Sequence, residues 1–290
     1  MAFRFPVVLH RLIQLPVSLQ LASYYGASFT VLGVLLPFWP VWLKAKGLSD
    51  PELSLVIGVG IGARVIANPL VAHLVDVSGR RTGTMAILAV LSVALCALFT
   101  VIEGFWSLLL LSGLWMGVFT AILPLGESLT LLTAYSRHLD YGRIRLWGSL
   151  SFIMVAVTSG TVLTGHAPTM FLWLLMAGTV LTLLACLLLE DLPPPARGRA
   201  DPAAFRRVMA DSRCWLFLAA ASLVSASHNL YYGFATLHWQ HAGLSPLVIG
   251  GLWAEAVAAE VLLFAFSSPI VTWLQPTGLM ILGSGAAVVR

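Results

Sequence analysis

The chain has 290 residues, of which 59% are apolar and only 10% charged, with a formal net charge of +4. Soluble domains carry about 25% charged residues to cover their surface, so this composition excludes a water-soluble globular domain. A mean hydropathy of +0.93 makes lipid the solvent for most of the chain.

About 20 apolar residues cross the hydrocarbon core as a helix. Runs of that kind stand near 17–43, 53–75, 84–102, 105–133, 144–165, 168–189, 214–237 and 246–271. A ninth begins near 277 and is still running at Arg290. The runs are continuous rather than alternating, which selects helices over barrel strands. The first is too long, and too poor in small-residue cleavage signals, to be a removable signal peptide.

Basic residues set the orientation. Arg4, Arg11, Arg80, Arg81, Arg137, Arg143, Arg145, Arg197, Arg199, Arg206, Arg207 and Arg213 fall in one set of loops, against Lys44 and Lys46 in the other. This asymmetry predicts an N-terminus in the cytoplasm, and the expected location is as a multi-pass protein of a bacterial-type cytoplasmic (inner) membrane. It also accounts for a pI near 9.2, so no nucleic-acid partner is expected.

The segment "EDLPPPARGRADPAAFRRVMADSR", residues 190–213, is the one long polar stretch. Its prolines resist helix continuation. The expected organisation is a six-helix bundle over 1–189, a cytoplasmic linker over 190–213 and an incomplete second bundle over 214–290. A repeat supports two halves: "WLKAKGLSDPELSLVIG" follows the first span and "WQHAGLSPLVIG" the seventh. Gly47 matches Gly243, and Gly58 matches Gly250. Parallel halves of this kind are one plan of secondary transporters. Roughly three spans are then expected beyond Arg290, and residues 1–290 alone are expected not to catalyse coupled transport.

Ionisable groups inside spans cost about 2.5–3.5 kcal/mol each on insertion scales and mark cavities or partners. Glu127 lies about two turns inside the fourth span and Arg145 at the start of the fifth. Joined by a short loop, these spans are antiparallel neighbours, so the two side chains are expected to meet or to line one cavity. The competing reading has Arg145 reaching to the headgroups. Glu255 and Glu260 point about 140° apart on a helix. Glu260 is nearer mid-span and is the better candidate for a proton or substrate carboxylate. In the seventh span His228 and Tyr232 share one face and, with Asn229, are candidate substrate contacts. Tyr24 and Trp239 are read as interfacial-belt aromatics. Asp76, Gly79, Arg80 and Arg81 form a tight cytoplasmic turn, read either as positive-inside anchoring or as an interhelical latch.

Cys96, Cys186 and Cys214 stand singly, without CxxC or Cys/His spacing, and read as small core hydrophobes. No metal or cofactor is expected. HExxH, GxSxG and P-loop patterns are missing from the sequence, which leaves a membrane enzyme unsupported.

On these residues the chain resembles the major facilitator superfamily. Asp76 to Arg81 is similar to that superfamily's loop motif between the second and third helices, with Ala72 where Gly is usual and Val77 where a basic residue is usual. A resemblance over almost the whole chain is to the phenylpropionate permease group, cousins of the oligosaccharide:proton symporters. It rests on "LPFWPVWLKAKGL", "DYGRIRLWGSLSF", "YYGFATLHWQHAGLS" and "AEVLLFAFS". It implies an all-α membrane fold, a helical bundle with about eight spans and part of a ninth in this chain, and proton-coupled uptake by a monomer. It also implies that Glu127 and Arg145 hold substrate, and that Glu260 and Arg290 take part in proton coupling. The expected function is proton symport of a small organic solute, an aromatic acid of the phenylpropionate type. The alternatives are a sugar or nucleoside symporter, or a non-transporting remnant.

Overall fold

A computed structural model describes the backbone of residues 15–163, 167–191, 202–265 and 267–289. Every regular element among them is a helix: α1 (Val17–Ala45), α2 (Asp50–Ser78), α3 (Arg81–Leu98), α4 (Phe105–Arg137), α5 (Tyr141–Leu163), α6 (Thr169–Leu188), α7 (Pro202–Ala210), α8 (Ser212–His241), α9 (Pro246–Ala265) and α10 (Ser267–Val289). Among the described residues, α1 to α6 are long and apolar enough to cross a membrane.

Local chemistry sets several boundaries. Ser49 and Glu52 form a capping box at the start of α2, with the Ser49 N–H and hydroxyl both donating to Glu52 Oε2 at 2.8 and 2.6 Å. Such a pair satisfies donors that a helix start leaves orphaned. Gly79 ends α2 in the left-handed region (φ 68°), its N–H bonded to the Val75 carbonyl at 2.8 Å. The repeat noticed in the sequence reappears as geometry. Gly47 (φ 88°) and Gly243 (φ 83°) each follow a helix. Their N–H groups donate to Lys44 and Gln240, while Leu48 and Leu244 donate five residues back to Leu43 and Trp239. Both turns are Schellman caps, which require a left-handed residue that glycine supplies without strain.

Three expected boundaries shift. The third span was expected to reach 102, but α3 ends at Leu98 and the chain turns, carrying Phe99 into an aromatic cluster. The eighth span was expected to run to 271; instead α9 ends at Ala265 and α10 begins at Ser267. The break expected before 277 appears as a kink at Gln275 (φ 53°, ψ 166°). Pro276 follows, and the residue before a proline avoids helical angles. Within the expected linker, α7 forms with Pro202 as its first residue, a position that tolerates proline.

Among the described residues, 15–191 without 164–166 pack with 236–265 as one compact unit, and 202–235 with 267–289 as another. In the first unit α1 packs against α5 and α6, α2 against α4, α3 against α4 and α6, and α9 against α5. At one end of α1, Trp39, Trp42, Phe99, Trp115 and Phe171 interlock, with Trp115 stacked on Phe119 at 5.1 Å. The Trp115 indole N–H donates to the Ser92 carbonyl at 3.1 Å. Toward the other end, buried Gln20 donates to Leu15 O and accepts from the Glu190 N–H, while Arg137 pairs with Glu190 at 3.2 Å. Cys96 and Cys186 are buried and Cys214 half-buried, all as free thiols.

Candidate functional site

The link from α4 to α5 is three residues long and tightly specified. His138 adopts the left-handed conformation (φ 52°), and Leu139 donates back to the Ala134 carbonyl at 2.9 Å. Asp140 caps α5 by accepting the Arg143 N–H at 3.1 Å. This places Tyr141, the first residue of α5, beside α4, where its hydroxyl donates to Oε1 of Glu127. From α1, Tyr25 donates its hydroxyl to Oε2 of the same carboxylate at 2.8 Å. Three helices meet at one half-buried acid.

Arg145, one turn further along α5, stacks its guanidinium over Phe29 at 4.2 Å and lies 5.4 Å from the Tyr25 ring centre. Cation–π contacts of this kind are worth about 0.5–2 kcal/mol. Gly148 makes room for the stack: a Cβ there would lie 3.0 Å from the Phe29 ring and 3.2 Å from an Arg145 nitrogen. Glu127 and Arg145 do not form an ion pair; the ion pairs among the described residues are Lys44–Asp50 and Arg137–Glu190. They line one cavity of about 250 Å³, walled also by Tyr24, Tyr25, Phe29, Leu123 and Pro124. Of the two arrangements expected, meeting or sharing a cavity, the second is found. Arg145 is half-buried on an aromatic face rather than extended to the surface. A groove of about 310 Å³ lies between Ser18, Leu19 and Trp147, but its charged groups, Asp140 and Arg143, are exposed. Charge recognition away from water therefore favours the Glu127–Arg145 cavity.

The aromatic and phenolic parts of this site escaped the sequence reading. Tyr24, read as a belt residue, is 1% exposed and donates to the Ile122 carbonyl at 3.0 Å. That reading is corrected: its ring lies against Gly126, where no Cβ could fit. Tyr25, Phe29 and Tyr141 were not singled out at all. The one available signal was spacing, since Tyr25 and Phe29 are four apart on α1. Trp239 is half-buried, edge-on to Trp253 at 6.3 Å.

His228 and Tyr232 share a face of α8, with ring centres 5.5 Å apart. Glu255 is exposed. The side chains of Asn229 and Glu260, and the whole of Arg290, lie outside the described residues. Asp76 and Arg80 are exposed around the Gly79 turn, Arg81 is the first residue of α3, and Asp76 makes no ion pair with either arginine. Among the described residues no group of His, Cys, Asp or Glu is arranged to hold a metal ion.

Helices long and apolar enough to cross a membrane thus line a small charged and aromatic cavity. Residues 18–290 match the MFS_1 like family, and the chain belongs to it. It is 32% identical over 280 residues to the probable 3-phenylpropionic acid transporter of Escherichia coli (strain K12), covering 93% of this chain and 72% of that one. To the maltose permease of Geobacillus stearothermophilus it is 27% identical over 220 residues, covering 72% of this chain and 54% of that one. Among solved structures the nucleoside transporter NupG superposes with a TM-score of 0.74 at 14% identity, over 91% of this chain and 69% of that one. The protein is a multi-pass transporter of the major facilitator type.

Proposed function

We propose that the protein is a proton-coupled symporter of a small aromatic carboxylate of the phenylpropionate type. The observation that carries this reading is the cavity itself, in which one guanidinium, Arg145, lies against the rings of Phe29 and Tyr25. A guanidinium binds a carboxylate through two parallel N–H donors, and flat aromatic walls suit a ring. The volume of about 250 Å³ lies just below the ~300–1,000 Å³ usual for ligand pockets, which favours a one-ring solute over a disaccharide. The relative named for 3-phenylpropionic acid supports the same class.

In this reading Glu127 and Arg145 belong to the substrate site, and His228, Asn229 and Tyr232 on α8 are further candidate substrate contacts. Glu260 carries the proton, with Arg290 assisting. Asp76, Gly79, Arg80 and Arg81 act at the cytoplasmic turn. The protein works as a monomer in the inner membrane with its N-terminus in the cytoplasm.

The test is thermal stabilisation of the detergent-solubilised protein by 3-phenylpropionate, 3-phenylpropanol, a nucleoside and a methyl glucoside. Stabilisation by the acid but not by its neutral alcohol supports an anion site. Equal stabilisation by acid and alcohol, or by the sugar or nucleoside alone, refutes it. Uptake of labelled acid that survives collapse of the proton gradient refutes the coupling.

A further inference from the structure

A carboxylate beside an anion-binding arginine is a liability, because like charges at short range repel strongly where water is scarce. Glu127 and Arg145 share one cavity, so the proposed substrate anion would approach both. The geometry around Glu127 answers the difficulty. Both of its oxygens accept a phenolic O–H, Oε2 from Tyr25 at 2.8 Å and Oε1 from Tyr141. Hydrogen bonds to an ionised acceptor are the strong ones. These two donors are anchored on α1 and α5, so they bind without the ordering cost that a ligand hydroxyl would bear.

We infer that Tyr25 and Tyr141 determine specificity, masking the Glu127 carboxylate so that the cavity takes an aromatic anion and disfavours hydroxyl-rich neutral solutes. A sugar or nucleoside is held largely by donating its hydroxyls to carboxylates, and here each oxygen already accepts one phenolic O–H, which leaves half of the acceptor sites to a ligand. An anion meets a carboxylate already solvated by two fixed O–H donors instead of one left bare in the cavity. Tyr25 stands in the cavity wall and acts at the ligand surface. Tyr141 reaches Glu127 from the start of α5 and is a positioning residue. Tyr24 is not part of this device: its hydroxyl is spent on the Ile122 carbonyl of α4.

This inference rests on the aromatic-acid reading above, and its test separates the two. The variants are Tyr25→Phe, Tyr141→Phe and their combination, which keep both rings and, at Tyr25, the contact with Arg145. Binding of 3-phenylpropionate and of phenyl β-glucoside to the purified protein is measured for each. The double variant is expected to lose roughly tenfold in affinity for the acid and to gain affinity for the glucoside. Adding Glu127→Gln to the double variant removes the unmasked charge and is expected to restore acid binding, which a merely structural role of the tyrosines would not produce. If the native protein binds the acid but the acid-to-glucoside ratio stays the same in the double variant, the masking is wrong and the aromatic-acid reading stands. Failure of Glu127→Gln to rescue acid binding likewise overturns the masking alone. If the native protein does not bind the acid, both readings fall.

Discussion

Gly250 on α9 lies against the carbonyl of Ala156 on α5, so near that a Cβ added at Gly250 would sit 2.5 Å from that oxygen. The relation is reciprocal, since a Cβ at Gly160 would sit 2.5 Å from the Pro246 carbonyl. Small residues four apart on each helix let the two backbones touch. In lipid, where burial brings no hydrophobic gain, such close packing is what holds helices together.

Gly250→Ala should therefore lower the melting temperature of the purified protein by several degrees. Gly251→Ala, one position along and facing open space, should leave it unchanged or raise it, because Ala is the better helix former by about 1 kcal/mol. Equal effects at the two positions would mean that the α5–α9 contact does not hold this unit together.

A second pair ties α1 to α4. Gly126→Ala would drive a methyl group into the Tyr24 ring, which is fully buried and has no room to retreat. The variant is expected to be more destabilised than Tyr24→Phe, which loses only the bond to Ile122 O, about 0.5–1.5 kcal/mol. Thermal melts of the two variants side by side check the order.

The aromatic cluster predicts a larger loss. Trp115 is fully buried, stacks on Phe119 and donates to Ser92. Trp115→Ala should cost about 3–5 kcal/mol, and Trp115→Phe should recover most of it. Denaturation of the detergent-solubilised protein, followed by loss of folded material, measures both.

At the site, Arg145→Lys keeps the charge but loses the planar fork and its stack on Phe29. Affinity for 3-phenylpropionate is expected to fall roughly 10- to 100-fold with little change in melting temperature. Undiminished binding would reduce Arg145 to an anchor at the helix start.

For coupling, Glu260→Gln cannot release a proton. In vesicles carrying a form of the protein that accumulates substrate, it should abolish accumulation driven by a proton gradient while leaving exchange of labelled for unlabelled substrate. Normal accumulation by the variant would move the proton to another group.

What the sequence alone determined is what local hydropathy and turn chemistry decide. The first span was expected at 17–43 and is found at Val17–Ala45; the glycines at 47 and 243 marked a repeat, and both take the left-handed conformation after a helix. Glu127 and Arg145 were legible because charge is rare in lipid and the short link after His138 makes their helices neighbours. Tertiary structure decided which face of each helix looks inward. A membrane helix is apolar all round, so it lacks the polar and apolar faces that reveal orientation in soluble proteins. Thus α1 and α2 read alike, yet 61% of the most apolar stretch of α1 is buried and only 11% of that of α2. The repeated Val-Ile-Gly leaves Gly58 exposed and buries Gly250 against α5. The convergence of Tyr25, Phe29, Glu127, Tyr141 and Arg145 from three helices depends on rotation about each axis, and packing of whole helices, not any single stretch of residues, sets that angle.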